Sequence, residues 1–112
     1  MFIAMNRFRV GFGNEPEFEQ VWRSRKSYLA ELDGFVQFAL LRGPGKDGYT
    51  LYASHTVWST KKHFDAWTRS GQFRAAHARA GQGKPLTLGH PEFEGFEAVL
   101  VEDNRAVASV KG

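Results

Sequence analysis

The residues with the clearest chemical potential lie within 64–77, a segment whose pattern predicts two short helical pieces. The pieces join at Ser70, which is a good N-cap for the second one. Four residues of the second piece share one helix face by their spacing: Phe73, Ala76, His77 and Ala80. The other members are apolar or small, so His77 is predicted to turn inward. Phe64 and Trp67 share a face of the first piece. The histidine and the tryptophan are therefore expected either to line a pocket or to belong to the core.

A second polar candidate lies in the first predicted strand, residues 2–10. Polar and apolar residues alternate there as in a strand with two different faces. One face carries Phe2, Ala4, Asn6, Phe8 and Val10. Asn6 is thus an amide in the middle of an apolar face, where an unpaired polar group costs about 2 kcal/mol or more. Either it bonds to neighbouring backbone, or it points into a cavity where something polar binds.

The composition predicts one folded domain. The chain has 112 residues, of which 42% are hydrophobic and 14% aromatic, which is too apolar for a disordered protein. Such an excess of aromatic residues suggests surface left for a flat ligand or a partner subunit. There is no cysteine, so neither a disulfide framework nor a thiolate metal site is expected. No apolar run approaches the roughly 20 residues of a membrane span, and the first residues lack a signal-peptide pattern. We expect a cytoplasmic protein.

The charge pattern argues against a nucleic-acid partner. The net charge is +3 and the pI about 9.5. However, the basic residues are scattered among acidic ones, with no basic run and no nucleic-acid motif. A modest positive field suits a small ligand that carries carboxylates equally well.

The remaining pattern predicts the order strand, helix, strand, strand, helix, strand. Asn14 is predicted to cap the first helix, with Glu17 in the capping-box position, and Ser59 with Thr60 to cap the second. The predicted ranges are a first helix at 15–32, strands at 35–42, 49–58 and 95–102, turn-rich loops at 43–48 and 81–94, and a tail at 103–112 that forms an extra edge strand or frays.

This order is typical of the α+β ferredoxin-like fold, a four-stranded antiparallel sheet with helices on one face. The second predicted strand is apolar on both faces, with Phe38 and Leu40 on one and Phe35 and Leu41 on the other. The sheet face away from the helices therefore needs a cover. A partner sheet would supply it, which predicts a two-fold homodimer.

The sequence resembles the antibiotic-biosynthesis-monooxygenase (ABM) superfamily of dimeric α+β barrels, and within it the IsdG-type haem-degrading monooxygenases. Three places carry the resemblance: NRF at 6–8, TVWS at 56–59 leading into FDAW at 64–67, and SGQFRAAH at 70–77. The last is the most specific for the subfamily. The resemblance implies a haem-binding domain over residues 1–102, and a loop near the haem pocket at 81–94.

The resemblance also implies that haem is both substrate and cofactor. His77 would be the axial iron ligand through neutral imidazole. Asn6 would donate an N–H to the ligand on the distal side, and Trp67 would push the porphyrin out of plane. Phe64 and Phe73 would line the pocket. With O₂ and an electron donor, such an enzyme opens the ring and releases iron and a linear tetrapyrrole.

Three other functions stay open on the sequence. The first is a cofactor-independent monooxygenase that acts on quinols or polyketides with the same fold and no axial histidine. The second is a non-catalytic haem-binding protein, and the third a purely structural dimeric barrel. Haem binding separates the first and third from the haem-dependent functions.

Overall fold

The computed structural model describes residues 1–25, 28–70 and 85–102. In chain order the elements are β1 (Phe2–Gly11), α1 (Glu15–Ser24), a 3₁₀ turn (Leu29–Glu31), β2 (Phe35–Lys46), β3 (Tyr49–Trp58), α2 (Lys61–Thr68) and β4 (Glu92–Glu97). All neighbouring strands are antiparallel, in the order β2-β3-β1-β4. The predicted ferredoxin-like α+β fold is confirmed. The second helical piece of 70–77, from residue 71 on, and the tail at 103–112 lie outside the described residues.

The helix-facing side of β1 supplies the core. Phe2, Ala4 and Val10 on that side are buried, whereas Arg7 and Arg9 on the other side are exposed, as the alternation predicted. β1 is central because it pairs with β3 on one edge and β4 on the other. Its helix-facing side chains are therefore flanked by strands on both sides.

The core falls into two clusters, one beneath each helix. The α2 cluster contains Phe2, Ala4, Leu29 and Trp58, with Phe64 and Trp67 of α2 packed on it. The α1 cluster contains Val10, Phe18 and Tyr52, with Phe8, Trp22, Leu40 and Leu86 packed on it. The middle of the sheet lies between these two clusters.

The first helix is shorter than the sequence pattern predicted. It ends at Ser24 rather than at residue 32, because Arg25 is extended (φ −75°, ψ 151°) and Tyr28 is left-handed (φ 59°). Residues in these conformations cannot continue an α-helix. Leu29 packs in the α2 cluster rather than under α1, so the apolar spacing that suggested a longer helix reflects a packed turn.

The predicted capping box at the start of α1 is wrong. The Asn14 side chain makes no capping bond; instead its Nδ2 donates to the Leu86 carbonyl at 3.3 Å. The Glu15 carboxylate accepts from the Gly13 N–H at 2.8 Å. Asn14 thus ties the helix entry to the segment that precedes β4, a long-range contact that local spacing does not contain.

β2 continues through most of the predicted loop at 43–48. The strand reaches Lys46, with an irregular register between Arg42 and Gly45, and the turn itself occupies only Asp47 and Gly48 (φ 84°). A second irregularity between Phe35 and Gln37 turns Phe35 to the helix side, where it packs in the α2 cluster. Its predicted place on the opposite face is wrong, because a bulge shifts the period of two by one residue.

The last strand is displaced toward the N-terminus from its predicted range of 95–102. β4 pairs with β1 from Glu92 to Glu97, and the final contact is the Ala98 N–H to the Met1 carbonyl at 2.9 Å. The pairing of β4 with β1 ends there. Val99 and Leu100 are accordingly 95% and 77% exposed. The start of β4 falls within the predicted loop at 81–94.

The sheet face away from the helices has an open apolar region beside its charged residues. It carries Ile3, Met5, Leu51 and Ala53 half-buried, while Leu41 and Phe96 are 43% and 47% exposed. The homodimer that would cover this face stays a prediction. Among the described residues, no helix is both long and apolar enough to cross a membrane.

Candidate functional site

Asn6 lies on the helix-facing side of the sheet, between the two core clusters. It pairs with Ser54 of β3 on one side and with Phe93 of β4 on the other. Leu40 of β2 completes this cross-sheet row beyond Ser54. Ala4 precedes Asn6 on the same face in the α2 cluster, and Phe8 follows it in the α1 cluster. The amide is therefore half-buried at the boundary between the clusters.

The Asn6 side chain forms no hydrogen bond with any residue that the structure describes. The ladder bonds of β1 occupy the neighbouring backbone groups on both sides. Of the two alternatives in the sequence, bonding to neighbouring backbone is thus not found in these parts of the chain. The amide keeps two donors and an acceptor for other partners.

Small side chains surround Asn6 within the sheet. Ser54 and Thr56 of β3 are 5% and 7% exposed, and Ala4 is 4% exposed. We call Ala4, Asn6, Ser54 and Thr56 the polar floor. Gly95 of β4 pairs with Ala4 at its edge, where an added Cβ would lie 2.7 Å from the Phe2 ring. The polar floor therefore consists of short side chains, and larger aromatic side chains lie on either side of it.

The wall on the α2 side is aromatic, and helix caps hold it in place. Trp67 lies 5.4 Å from the buried Trp58 ring and 6.1 Å from Phe64, so the predicted shared face is confirmed. Phe64 stacks on the exposed Phe93, with the ring centroids 5.8 Å apart and an angle of 11° between the ring planes. At the start of α2, the Thr60 hydroxyl accepts from the backbone N–H of His63, the third residue of the helix, at 3.2 Å, as a capping residue should.

Ser70 serves the end of α2. Its hydroxyl donates to the Trp67 carbonyl at 2.6 Å, and its N–H donates to the same carbonyl at 2.9 Å. These bonds satisfy a carbonyl that the helix itself leaves unpaired. The predicted N-cap role of Ser70 toward the next helical piece depends on residues outside the described ones. So do the predicted places of Phe73 and His77.

The wall on the α1 side contains an open groove of about 480 Å³. Its lining is formed by Glu19, Trp22 and Arg23 of α1 and by Phe38, Leu40, Arg42 and Tyr52 of the strands. The Tyr52 hydroxyl donates to the Glu19 carboxylate at 2.5 Å, and Arg23 and Arg42 pair with the same carboxylate at 3.1 and 3.5 Å. This network fixes α1 on β3.

The network also sets the protonation of its members. The hydrogen bond from Tyr52 lowers the pKa of Glu19, and the two arginines act in the same direction. Burial, together with the bond to Glu19, raises the pKa of Tyr52 to about 12. At neutral pH the carboxylate is therefore charged and the phenol protonated, so the pair is a stable structural contact.

The sequence reasoning missed this network and the hydroxyl groups beside Asn6. The sequence contained a signal for both: all four helix-facing residues of β3 between positions 50 and 56 carry a hydroxyl. These residues are Thr50, Tyr52, Ser54 and Thr56. Four hydroxyls on a buried strand face demand polar partners.

Arg25 is a half-buried cation at the end of α1. Its guanidinium lies 4.5 Å from the Trp22 ring and 4.9 Å from the Phe38 ring, and burial lowers its pKa. It has no ion pair with any acid in the described residues, whereas Arg7 pairs with Glu94 at 2.6 Å. Arg25 thus offers its donors near the groove.

The structure brings together three of the predicted site residues, Asn6, Phe64 and Trp67, on one side of the sheet. Phe73 and His77 lie outside the described residues. Within residues 1–25, 28–70 and 85–102, no group of three His, Cys, Asp or Glu residues is placed to hold a metal ion. A flat apolar ligand with polar groups fits the arrangement better than a bare metal ion does.

Comparison with known proteins shows the family of the chain. The family model for antibiotic biosynthesis monooxygenases matches residues 1–79. A curated relative from Mycobacterium tuberculosis, named heme oxygenase (mycobilin-producing), is 35% identical over 98 residues, which cover 88% of this chain and 89% of the relative. The solved structure of the heme degrader MhuD from the same organism, with two hemes bound in its active site, is 30% identical with a TM-score of 0.70. It covers 92% of this chain and 100% of MhuD.

A structure of another kind of oxygenase is also similar. SnoaB from Streptomyces nogalater, a cofactor-independent oxygenase, is 28% identical with a TM-score of 0.65, and the match covers 89% of this chain and 94% of SnoaB. The relative and the two solved structures each match 88% or more of this chain. They confirm the resemblance in the sequence: the chain belongs to the antibiotic biosynthesis monooxygenase family.

Proposed function

We propose that this chain is a haem-degrading monooxygenase that opens the porphyrin ring with O₂ and reductant, releasing iron and a linear tetrapyrrole. The observation that carries the proposal is the half-buried Asn6 amide, unpartnered within the described residues and set in a flat floor between aromatic walls. The relative named as a heme oxygenase supports the proposal, since the match with this chain covers 89% of that relative's length.

The residues around Asn6 fit a porphyrin. The floor is built from small side chains, and the wall contains Phe64, Trp67 and the exposed Phe93, which offer apolar surface to a flat ring. The propionates need a cation, and Arg25 has no acidic partner among the described residues. Arg7, by contrast, is paired with Glu94, and Arg9 lies over the Tyr49 ring at 6.0 Å on the opposite face.

Each predicted residue would have its own role toward bound haem. His77 would hold the iron through neutral imidazole. Asn6 would donate to the ligand on the other side of the ring. Trp67, supported from behind by Trp58, would press on the ring and distort it. Bound haem would supply the iron at which O₂ is activated, as well as the carbon skeleton that is opened.

The proposal includes a homodimer and an external electron donor. Support for the dimer comes from the open apolar face with Ile3, Met5, Leu41, Leu51 and Phe96, since an apolar surface of this kind favours burial by a partner. The expected cytoplasmic location stays a prediction.

A cofactor-independent monooxygenase is the second candidate. The similarity to SnoaB favours it, at 28% identity against 30% for MhuD. The two candidate functions differ in the role of His77: a haem enzyme needs it as an iron ligand, and a cofactor-independent enzyme does not. A non-catalytic haem-binding protein would share His77 with the first candidate but would leave haem intact.

Haem titration followed by reductant in air tests the function. We expect a Soret band that saturates at a fixed haem-to-protein ratio, and its loss when ascorbate is added in air. His77→Ala should greatly weaken haem binding while the circular dichroism spectrum is retained. His90→Ala is the matched control, since His90 is an exposed histidine near a turn, and its variant should bind haem normally.

The contrary results point to different functions. A Soret band that stays that of free haem favours the cofactor-independent enzyme or a structural barrel. A stable Soret band under reductant and air favours a carrier. Unchanged haem binding by His77→Ala removes that residue as the ligand.

A further inference from the structure

Ser54 stands directly opposite Asn6 in the β1–β3 pair, on the same helix-facing side of the sheet. Directly opposed residues of antiparallel strands have Cβ atoms about 4.5–5.5 Å apart. The two polar side chains are thus near enough to contact one small ligand together.

The hydroxyl groups of β3 differ in their partners along the strand. The Thr50 hydroxyl donates to Glu15 at 2.7 Å, and the Tyr52 hydroxyl donates to Glu19 at 2.5 Å, so α1 satisfies both. Ser54, two residues further on, is 5% exposed, and its hydroxyl bonds to no residue in the described segments, Asn6 included. Hydrogen bonds from β3 hydroxyls to α1 thus stop before Ser54, which lies at the gap between the two core clusters.

The Ser54 hydroxyl and the Asn6 amide have no hydrogen-bond partner in the described residues, and neither is sealed from small molecules in the gap between the clusters. Buried polar groups without a protein partner usually bond to an ordered water or to a ligand. The Ser54 hydroxyl and the Asn6 Nδ2 are both donors, and together they suit a small ligand that accepts hydrogen bonds.

We propose that Ser54 and Asn6 form a two-donor site for a small hydrogen-bond acceptor: a water molecule in the ligand-free protein, and the ligand on the distal side of the ring in the haem complex. The second part rests on the proposed function, and the first does not. Ser54 is in this view a binding residue, since its hydroxyl contacts the ligand directly.

Fluoride binding to the ferric haem complex measures the donors in this site, because fluoride is a small acceptor that absorbance titration follows readily. Removal of one neutral hydrogen bond should weaken binding about 2- to 10-fold. We expect that loss for Ser54→Ala, and retention of affinity for Ser54→Thr, which keeps a hydroxyl and suits a strand. Thr50→Val is the matched control: it removes a β3 hydroxyl that is already used by Glu15, and should leave fluoride affinity unchanged.

The water in the ligand-free protein is tested separately by a high-resolution crystal structure. We expect one ordered water within hydrogen-bond distance of both Ser54 Oγ and Asn6 Nδ2, and its loss in Ser54→Ala. Absence of that water in the wild type overturns the inference, whether or not the protein binds haem. Equal fluoride affinity in Ser54→Ala and wild type also overturns it, while the Soret band keeps the proposed function intact. A Soret band that haem binding does not shift rejects the proposed function instead, and the crystal structure then decides the inference.

Discussion

Trp67 offers the sharpest test of whether this site does chemistry or only packs. Its ring lies 5.4 Å from Trp58 and 6.1 Å from Phe64, so part of its contribution is to the α2 cluster. If packing is its whole role, Trp67→Phe should lower stability and leave the activity of each folded molecule unchanged. If the indole also distorts the ring of bound haem, the same change should slow ring opening.

The size of the stability effect follows from the partial burial of Trp67. Phenylalanine keeps an aromatic ring against Trp58 and loses the remaining volume, so we expect a cost of about 1 kcal/mol, well below the 3–5 kcal/mol of a buried Trp→Ala change. A loss of this size lowers the melting temperature by about 4 °C. Since a domain is stable by about 5–15 kcal/mol, nearly all molecules stay folded at 25 °C. Unfolding therefore cannot account for a large loss of rate.

The assay is single-turnover decay of the Soret band with excess reductant, with the protein in excess over haem so that all the haem is bound. We expect Trp67→Phe to slow the decay about 10-fold, which corresponds to about 1.4 kcal/mol of barrier, and Trp67→Ala to slow it further. Haem affinity should change little. Resonance Raman spectroscopy should report a more planar macrocycle in both variants.

Leu29→Val is the matched control, because Leu29 is 3% exposed in the same cluster and the change costs a similar amount of stability. It should lower the melting temperature and leave the decay rate unchanged. A Trp67→Phe variant that is haem-loaded and more planar, yet as fast as wild type, would refute the distortion role.

Three further results are expected. Asn6→Ala should bind haem nearly normally and degrade it far more slowly in single-turnover spectroscopy, because the amide meets the distal ligand; an unchanged rate contradicts this role. Sedimentation at micromolar concentration should give a dimer mass, since the apolar sheet face is open, and a monomer mass would rule the dimer out. The wild-type protein should lose stability at high pH as the Tyr52 phenol ionises, and Tyr52→Phe should remove this part of the loss. The raised pKa of Tyr52, about 12 against 10 unfolded, stabilises the fold fully below pH 10, and this contribution is lost as pH rises toward 12. Denaturant titrations between pH 10 and 12 measure this difference. If wild type and variant lose the same stability over this range, the role of Tyr52 is contradicted.

The sequence by itself determined the fold class and the inward faces. Alternation in β1 placed Asn6 on the buried side, and the spacing of Phe64 and Trp67 placed both rings on one face of α2. These features survive because the periods of strand and helix are local properties of the backbone. The ABM-family resemblance, carried by the segments around Asn6, Trp67 and His77, likewise needed only the chain itself.

Tertiary structure decided the features that depend on contacts between distant segments. Leu29 suggested a longer helix but packs in the α2 cluster after a left-handed residue, and the Asn14 amide bonds to Leu86 rather than capping α1. Strand pairing set the neighbours of Asn6: only the register of β1 against β3 puts Ser54 beside it. A single-residue bulge in β2 moved Phe35 to the other face. Register and bulges arise from the pairing of whole strands, so residue spacing within one strand does not contain them.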